Sequence, residues 1–486
     1  MASRTLLRCL LGTALLLPVA PLSAATAAPA GDARATVVAT SDRWFTAAPA
    51  SGRRFTGASA SARWAATAPA SGDGTAPAVP ARATTARAVD YRGLRLALPA
   101  DWRVVDLDRN PAACLRLDRP TLYLGHAGSQ TECAGRAVAT RRADTLHLEP
   151  IDGAPPRADI PTLAVAGGDR LPPDVGDSAE VRYALGGPGV MATLSYGVAP
   201  DTVRDLLEAA ARTAPEAPAG PGPVIPATAP ARAPRTAQEP FTGEGFDACT
   251  APTQRTMDAW RVNSPFGAVG IYIGGRARAC AQPQLTAAWV RKQTAAGWHL
   301  MPLWVGPQPW NSSTTGLSTD PSRANDQGRE AAEGAAQAAG SLGLTEGAVL
   351  YNDLENYTDR ATWDAPVVAY LTAWTVRLHE LGYRSAAYVA AGSGVKALSA
   401  HYRQAPEAMP DVLWTARWNG SATVTDADMG LPAGTAQWAG PRRAHQFKGD
   451  HDATYGGVTL NIDRSWLDVN PAAAARPAGG VRFPLS

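Results

Sequence analysis

At 486 residues the chain is longer than one compact domain of roughly 100–200 residues, and its 45 basic and 43 acidic residues leave a formal net charge of only +2. That balance excludes a partner chosen by bulk electrostatics, so neither nucleic acid nor a charged membrane surface is expected. Lysine occurs only at 292, 396 and 448, so 45 − 3 = 42 basic residues are arginine. With abundant Ala, Gly and Pro, this points to a GC-rich genome and carries no mechanism.

The chain opens "MASRTLLRCLLGTALLLPVAPLSAATAAPA". Arg4 and Arg8 precede an apolar run from Cys9 to about Ala20, and small residues follow at 25–30. Residues 1–27 therefore read as a secretory signal peptide. The apolar run is too short to span a bilayer well, and no later segment is apolar enough to span. The mature chain is expected outside the cell, with association to the wall left open. Residues 28–87 hold Ala, Ser, Thr, Pro and Arg with few apolar side chains. Such a segment cannot bury a core and is expected to be disordered.

Residues 88–212 read as a small α+β domain. "YRGLRLALPADWRVVDL" alternates like strands, "TLYLGH" and "RAVATRRADTLHLEPI" follow, and the helix "PDTVRDLLEAAART" closes it. His126 and His147 stand alone there, and nothing suggests catalysis. A Pro/Ala linker at 213–240 should be extended and semi-rigid.

Over 241–471 apolar strand-like runs alternate with amphipathic helical stretches, the pattern of repeated βα units. Strands are expected at 243–249, 268–275, 298–306, 348–356, 384–392, 411–418, 443–449 and 459–466. Eight strands in this length fit an α/β fold of the TIM (β/α)8 barrel type. An open doubly wound sheet should carry a Gly-rich phosphate turn after its first strand, and "GFDACTAPT" has none. Residues 472–486 form a tail.

Barrel active sites sit at the C-terminal strand ends. Asp247 closes the first expected strand, Asp353 and Glu355 the fourth and Arg417 the sixth. Gln446 and Asp463 lie in the seventh and eighth. Buried carboxylates cost free energy unless they are paired or functional, so several at one mouth are more than a solubility feature. In "YNDLENY", Asp353 and Glu355 are two apart and face the same side of the strand, with Cβ atoms ~7 Å apart. Their carboxyls can reach either spacing used in glycoside hydrolysis, ~5–5.5 Å or ~6.5–9.5 Å, so retention and inversion both stay open. Like charge raises one pKa and keeps one group protonated as a general acid. Glu355, nearer the loop, would meet the leaving-group oxygen. Asp353 would stabilise positive charge on the sugar or orient an acetamido group. The alternative is helix capping, but Thr358, Asp359 and Thr362 can serve there.

Tyr272, Trp304, Trp310, Tyr351, Tyr388, Trp414 and Trp418 fall at or beyond strand ends, where sugar rings could stack. Trp304, Trp310 and Trp418 are the stronger platform candidates. Trp289, Tyr370 and Trp374, on helices, belong in the core. Cys9 leaves with the signal. Four cysteines remain in two close pairs, so Cys114–Cys133 and Cys249–Cys280 disulfides are expected. No CxxC or nearby His pair supports zinc.

Taken in order, "GFDACTAPTQRTMDAW", "GIYIGG", "YNDLENY", "LWTARW", "HQF" and "NIDRSW" resemble the secreted glycoside hydrolase-like domain family. This former domain of unknown function is common in exported actinobacterial proteins and is similar to the family 25 lysozymes. The resemblance covers about residues 243–467. It implies that Asp247 matches the first-strand Asp of the lysozymes. Asp353 and Glu355 match their Asp-x-Glu, with Glu355 as acid/base. Trp414 to Trp418 match a later aromatic strand, Gln446 a Gln strand and Asp463 the last Asp. The chain departs at His445, where an aromatic is usual, and at Asn461-Ile462-Asp463, where the lysozymes tend to place Asp before Asn. The resemblance implies a hydrolase fold and a candidate site, and the leading reading is a secreted hydrolase, expected to be monomeric, of a cell-wall polysaccharide such as peptidoglycan. Water is its second substrate, and neither metal nor organic cofactor is needed. The alternatives are a wall-glycan-binding protein on a degenerate barrel and a hydrolase of another glycan.

Overall fold

The computed structural model describes residues 86–470, apart from 131–132, 134–141, 155–156, 158–159, 161, 167, 174–178, 198, 215–239 and 311–315. The expected signal peptide, nearly all of the 28–87 segment, most of the linker and the tail lie outside the described residues. Arg87, the last residue of the expected disordered segment, already opens a strand.

The first described elements are β1 (Arg87–Tyr91), β2 (Leu94–Leu98), β3 (Arg103–Asp106), β4 (Thr121–Leu124), β5 (Thr145–Pro150), β6 (Thr162–Val165), β7 (Glu180–Leu185), β8 (Val190–Ser195) and α1 (Pro200–Thr213). Arg92 and Gly93 both have positive φ, 48° and 84°. That is the turn whose twist suits a two-residue hairpin, so β1 and β2 pair antiparallel. The other six strands form one mixed sheet in the order β3-β4-β5-β8-β7-β6. Strand alternation splits its two faces. Leu146, Leu148, Val181, Tyr183 and Leu194 join Leu94, Leu96, Val203 and Leu207 in an apolar core under α1 and the hairpin. The opposite face carries Thr145, Glu149, Glu180, Arg182 and Ser195, and these are buried as well.

The barrel follows: β9 (Phe241–Asp247), α2 (Gln254–Asn263), β10 (Ala268–Gly274), α3 (Ala287–Ala295), β11 (His299–Val305), α4 (Pro321–Ser341), β12 (Val349–Leu354), α5 (Arg360–Glu380), β13 (Arg384–Ala390), α6 (Gly394–His401), β14 (Val412–Ala416), α7 (Asp426–Met429), β15 (Arg442–Tyr455) and β16 (Val458–Val469). The eight strands close in chain order, with β16 beside β9. The helices start at side-chain caps such as Thr253, Thr286, Asp320 and Asp359, which accept from backbone N–H groups of the first turn.

One feature differs from a (β/α)8 repeat. β9 to β15 run parallel, but β16 is antiparallel to both neighbours. No helix separates β15 from β16. Gly456 and Gly457, at φ 57° and 74°, make a two-residue hairpin turn instead. These last strands are also longer than expected. Beyond the barrel they form an arm that bends over α2, where Tyr455 packs edge-on against Trp260 at 5.1 Å.

Alternation along the strands creates two apolar layers. Met301, Leu303, Tyr351, Tyr388 and Trp414 fill the barrel interior. Leu300, Trp304, Leu350, Leu354 and Val389 turn outward and pack under the helices.

Candidate active site

The carboxyls gather at the C-terminal ends of the parallel strands. Asp247 is the last residue of β9, and Asp353 is the penultimate residue of β12, with Glu355 one step beyond the strand. Asp463 sits at the same level because β16 runs antiparallel and pairs it directly with Asp247. Parity does the rest. Asn352 and Leu354 face outward, Asn352 donating to Tyr370 Oη on α5 at 2.9 Å, so Asp353 faces the barrel axis. A Cβ at Gly270 would lie 2.6 Å from that of Asp247. Only glycine at that position leaves room for the Asp247 side chain.

A single amide ties the site together. Gln446 Nε2 donates to Asp247 Oδ1 at 3.2 Å and to Asp463 Oδ2 at 3.3 Å. Its Oε1 accepts from Tyr388 Oη at 2.9 Å and Trp418 Nε1 at 3.0 Å. Tyr272 Oη donates to Asp247 Oδ2 at 3.1 Å. Asp450 N donates to Asp463 Oδ1.

The electrostatics follow from burial and crowding. Burial pushes Asp247 well above the usual carboxylate range, and Asp463 and Glu355 push it further, against the Gln446 and Tyr272 hydrogen bonds. Asp353 is raised well up by burial, then by Glu355 and Asp247. Its Oδ1 is buried with no hydrogen-bond partner among the described residues. Glu355 is pushed up to about 7 by burial and by Asp463. Asp463 is pushed up to about 6, chiefly by burial. Tyr272 and Tyr388 are raised well above their ordinary value by burial and the surrounding carboxyls, so both remain phenols and donors. Such a site holds protons at neutral pH and can donate one.

Gln308, on the loop after β11, has no counterpart in the sequence reading. It is buried, donates to Asp353 O at 2.8 Å and accepts from Glu355 N at 3.0 Å. It thus holds the backbone on both sides of Leu354 and sets where Glu355 leaves the strand. "GPQPW" carries it. A Gln between two prolines beside a strand end was the available signal.

Several expected platform residues lie elsewhere. Trp304 has outward parity and is buried against α4, where a Cβ at Gly334 would lie 2.7 Å from its ring, and it belongs to the helix layer. Tyr351 and Trp414 point inward but sit deeper. Tyr351 is one side-chain layer below Asp353, and Trp414 donates through Nε1 to Ser465, two residues down β16 from Asp463. They pack edge to face at 5.7 Å and form the floor. Arg417 turns away from the mouth and donates to Ala427 O. Trp310 is half-buried beyond β11. Trp418 alone among these is open, at 58% exposure. Its indole lies on Gly449, where any Cβ would meet the ring at 2.0 Å. Tyr272 and Tyr388 line the mouth as donors.

Both cysteine pairs are bonded, Cys114–Cys133 and Cys249–Cys280. The second joins the loops after β9 and β10 at the rim. Among the described residues no group of three or more His, Cys, Asp or Glu is arranged to hold a metal ion. No helix there is long and apolar enough to cross a membrane.

Residues 258–467 match the family model described as Rv2525c-like, glycoside hydrolase-like domain. Most of the barrel, from within α2 to near the end of β16, matches that family's model. The match starts inside α2, so β9 and Asp247 precede it although the barrel closes through that strand. No curated protein matches the chain. Among solved structures, an uncharacterized B. stearothermophilus protein is 17% identical, covering 46% of this chain and 95% of its own, with a TM-score of 0.34. The Mycobacterium tuberculosis Tat-secreted protein Rv2525c, in complex with L-tartrate, is 13% identical over 47% of this chain and 96% of its own, with a TM-score of 0.32. The Clostridium perfringens spore cortex lytic enzyme SleM is 14% identical over 46% of this chain and 67% of its own, with a TM-score of 0.31.

Proposed function

We propose that the barrel hydrolyses a cell-wall polysaccharide, peptidoglycan being the leading candidate, by carboxyl acid/base catalysis outside the cell. The observation that carries this reading is the convergence of Asp247, Asp353, Glu355 and Asp463 on one mouth, with the neutral amide of Gln446 bridging Asp247 and Asp463. A site of this kind keeps protons at neutral pH, as glycosidic bond cleavage requires. Glu355, at the edge of the strand and pushed up to about 7, protonates the departing oxygen. Asp353, beside it with an unpartnered oxygen, faces the sugar and stabilises positive charge there or orients an acetamido group. Asp463, pushed up only to about 6, supplies negative potential from the opposite wall, and Gln446 holds Asp247 beside it. The wall-glycan assignment rests on the resemblance of the Asp-x-Glu series to family 25 lysozymes. Two disulfides suit an oxidising compartment and support export.

The second reading is a binding protein without turnover, favoured by one feature. Trp418 presents an open indole beside the carboxyls, a stacking face that works without either acid. Incubation of the full chain with insoluble peptidoglycan separates the two. Hydrolysis releases soluble fragments whose masses include one added water per cut. A protein that pellets with the wall and releases nothing supports binding alone.

A further inference from the structure

The buried polar face of the small sheet has an occupant, the barrel loop after β10. Both lie in one compact unit spanning Val79–Ser486. Arg116 and Cys280 pair as an isolated antiparallel bridge. Leu117 N donates to Ala279 O at 2.8 Å, and Ala281 N donates to Leu115 O at 3.2 Å. Arg142, just before β5, donates through Nη1 to the carbonyls of Gly275 and Arg278 at 3.3 and 3.4 Å. At the centre Glu180 of β7 takes both Arg278 Nη2 and Arg142 Nη2, while Ser195 Oγ donates to its other oxygen at 3.1 Å. All three charged side chains are nearly solvent-free, with 2% to 4% exposure.

The contact continues into the mouth. Arg278 Nη1 donates to the carbonyl oxygen of Tyr272 at 3.1 Å, and Tyr272 Oη donates to Asp247. Glu180 therefore reaches Asp247 through one guanidinium and one tyrosine. Removing the acid would leave two buried guanidiniums without their counter-charge, a costly state that the intact interface avoids.

We propose that the small sheet module is a working part of the barrel mouth, with Glu180 a positioning residue that fixes Tyr272, and through it Asp247, by holding Arg278. The effect on catalysis rests on the hydrolase reading above; the docking and the fixing of Tyr272 do not. An independently swinging wall-binding module would not need a buried ion triad against the catalytic rim.

The test uses the full chain in two arms. In the first, a protease site is introduced between residues 215 and 239 and cut. No disulfide crosses that segment, so only the interface can hold the halves. Co-elution on gel filtration is expected, and separate elution overturns the proposal. In the second, Glu180→Met combined with Arg142→Met and Arg278→Leu replaces the whole triad with apolar groups of similar size, leaving no buried guanidinium without Glu180, and keeps the fold where Glu180→Gln alone could unfold it. Faster amide exchange over Tyr272–Arg278 is expected whether or not the protein cleaves glycans. If it does cleave, kcat should fall about ten- to hundredfold, with KM little changed and a displaced pH profile. Unchanged exchange at Tyr272 overturns the positioning role. A lowered melting temperature with wild-type kcat and pH profile overturns its catalytic part.

Discussion

Asp353 and Glu355 cost the folded state free energy that Asn and Gln would not. Their pKa values are raised, so the sign of the pH effect is fixed. Whatever stability the folded mouth gains from holding their protons is complete below the ordinary carboxylate range. It is lost as pH rises through the folded values, about 7 for Glu355. Glu355→Gln should therefore melt higher than the parent at pH 8, by about 1–3 kcal/mol of stability. The difference should vanish near pH 4, where Glu355 is protonated in both states. Calorimetry at the two pH values checks this, and an equal gain at both would mean that packing and not charge sets the effect. The carboxyl pattern itself was legible in the sequence because i and i+2 positions share a strand face. Trp304 shows the same rule read too loosely. Parity with the inward Leu303 and Val305 turns it out toward the helices.

At the scale of elements, the strand positions were legible and the last strand's direction was not, although its cause is written in the sequence. The paired glycines 456–457 between "HDATY" and "VTL" demand a tight hairpin. A hairpin makes β16 antiparallel and brings Asp463 to the mouth from the far side. Gln308 was harder to read: its place between two prolines beside a strand end was a signal, but its work is done on backbone atoms at the end of β12, which its own local pattern does not record. Gln308→Ala should leave the barrel folded but release Glu355 N and Asp353 O. A kcat loss of about tenfold or more is expected, with little change in KM. A change in KM alone would place Gln308 in substrate binding and not in setting Glu355.

For the whole molecule, two buried charge systems pull stability in opposite directions with pH. Burial raises Glu180, but Arg278 and Arg142 outweigh it and hold the carboxyl down at about 2. Its contribution is full above its ordinary value near 4.5 and is lost as pH falls toward 2. The mouth carboxyls act in the reverse sense, losing stability as pH climbs through about 6 for Asp463 and about 7 for Glu355. Thermal stability of the full chain should peak between these limits, near pH 5, and fall on both sides. In Glu355→Gln the alkaline fall should be shallower and the acid fall unchanged. Scanning calorimetry from pH 3 to pH 8 measures both limbs. An alkaline limb as steep as the parent's in that variant would remove the mouth as its cause. The docking of the small sheet on the barrel could not be read from sequence. A buried polar strand face and an exposed one share the same alternation, and only the partner distinguishes them.

The most direct measurement is the release of new reducing ends from insoluble peptidoglycan by the full chain and by Glu355→Gln, followed from pH 5 to pH 8. The acid/base account predicts release by the parent, falling as pH rises through about 7 where Glu355 loses its proton, and at least hundredfold less release by the variant. Equal release by the two proteins, or none by either while both bind the wall, would contradict it.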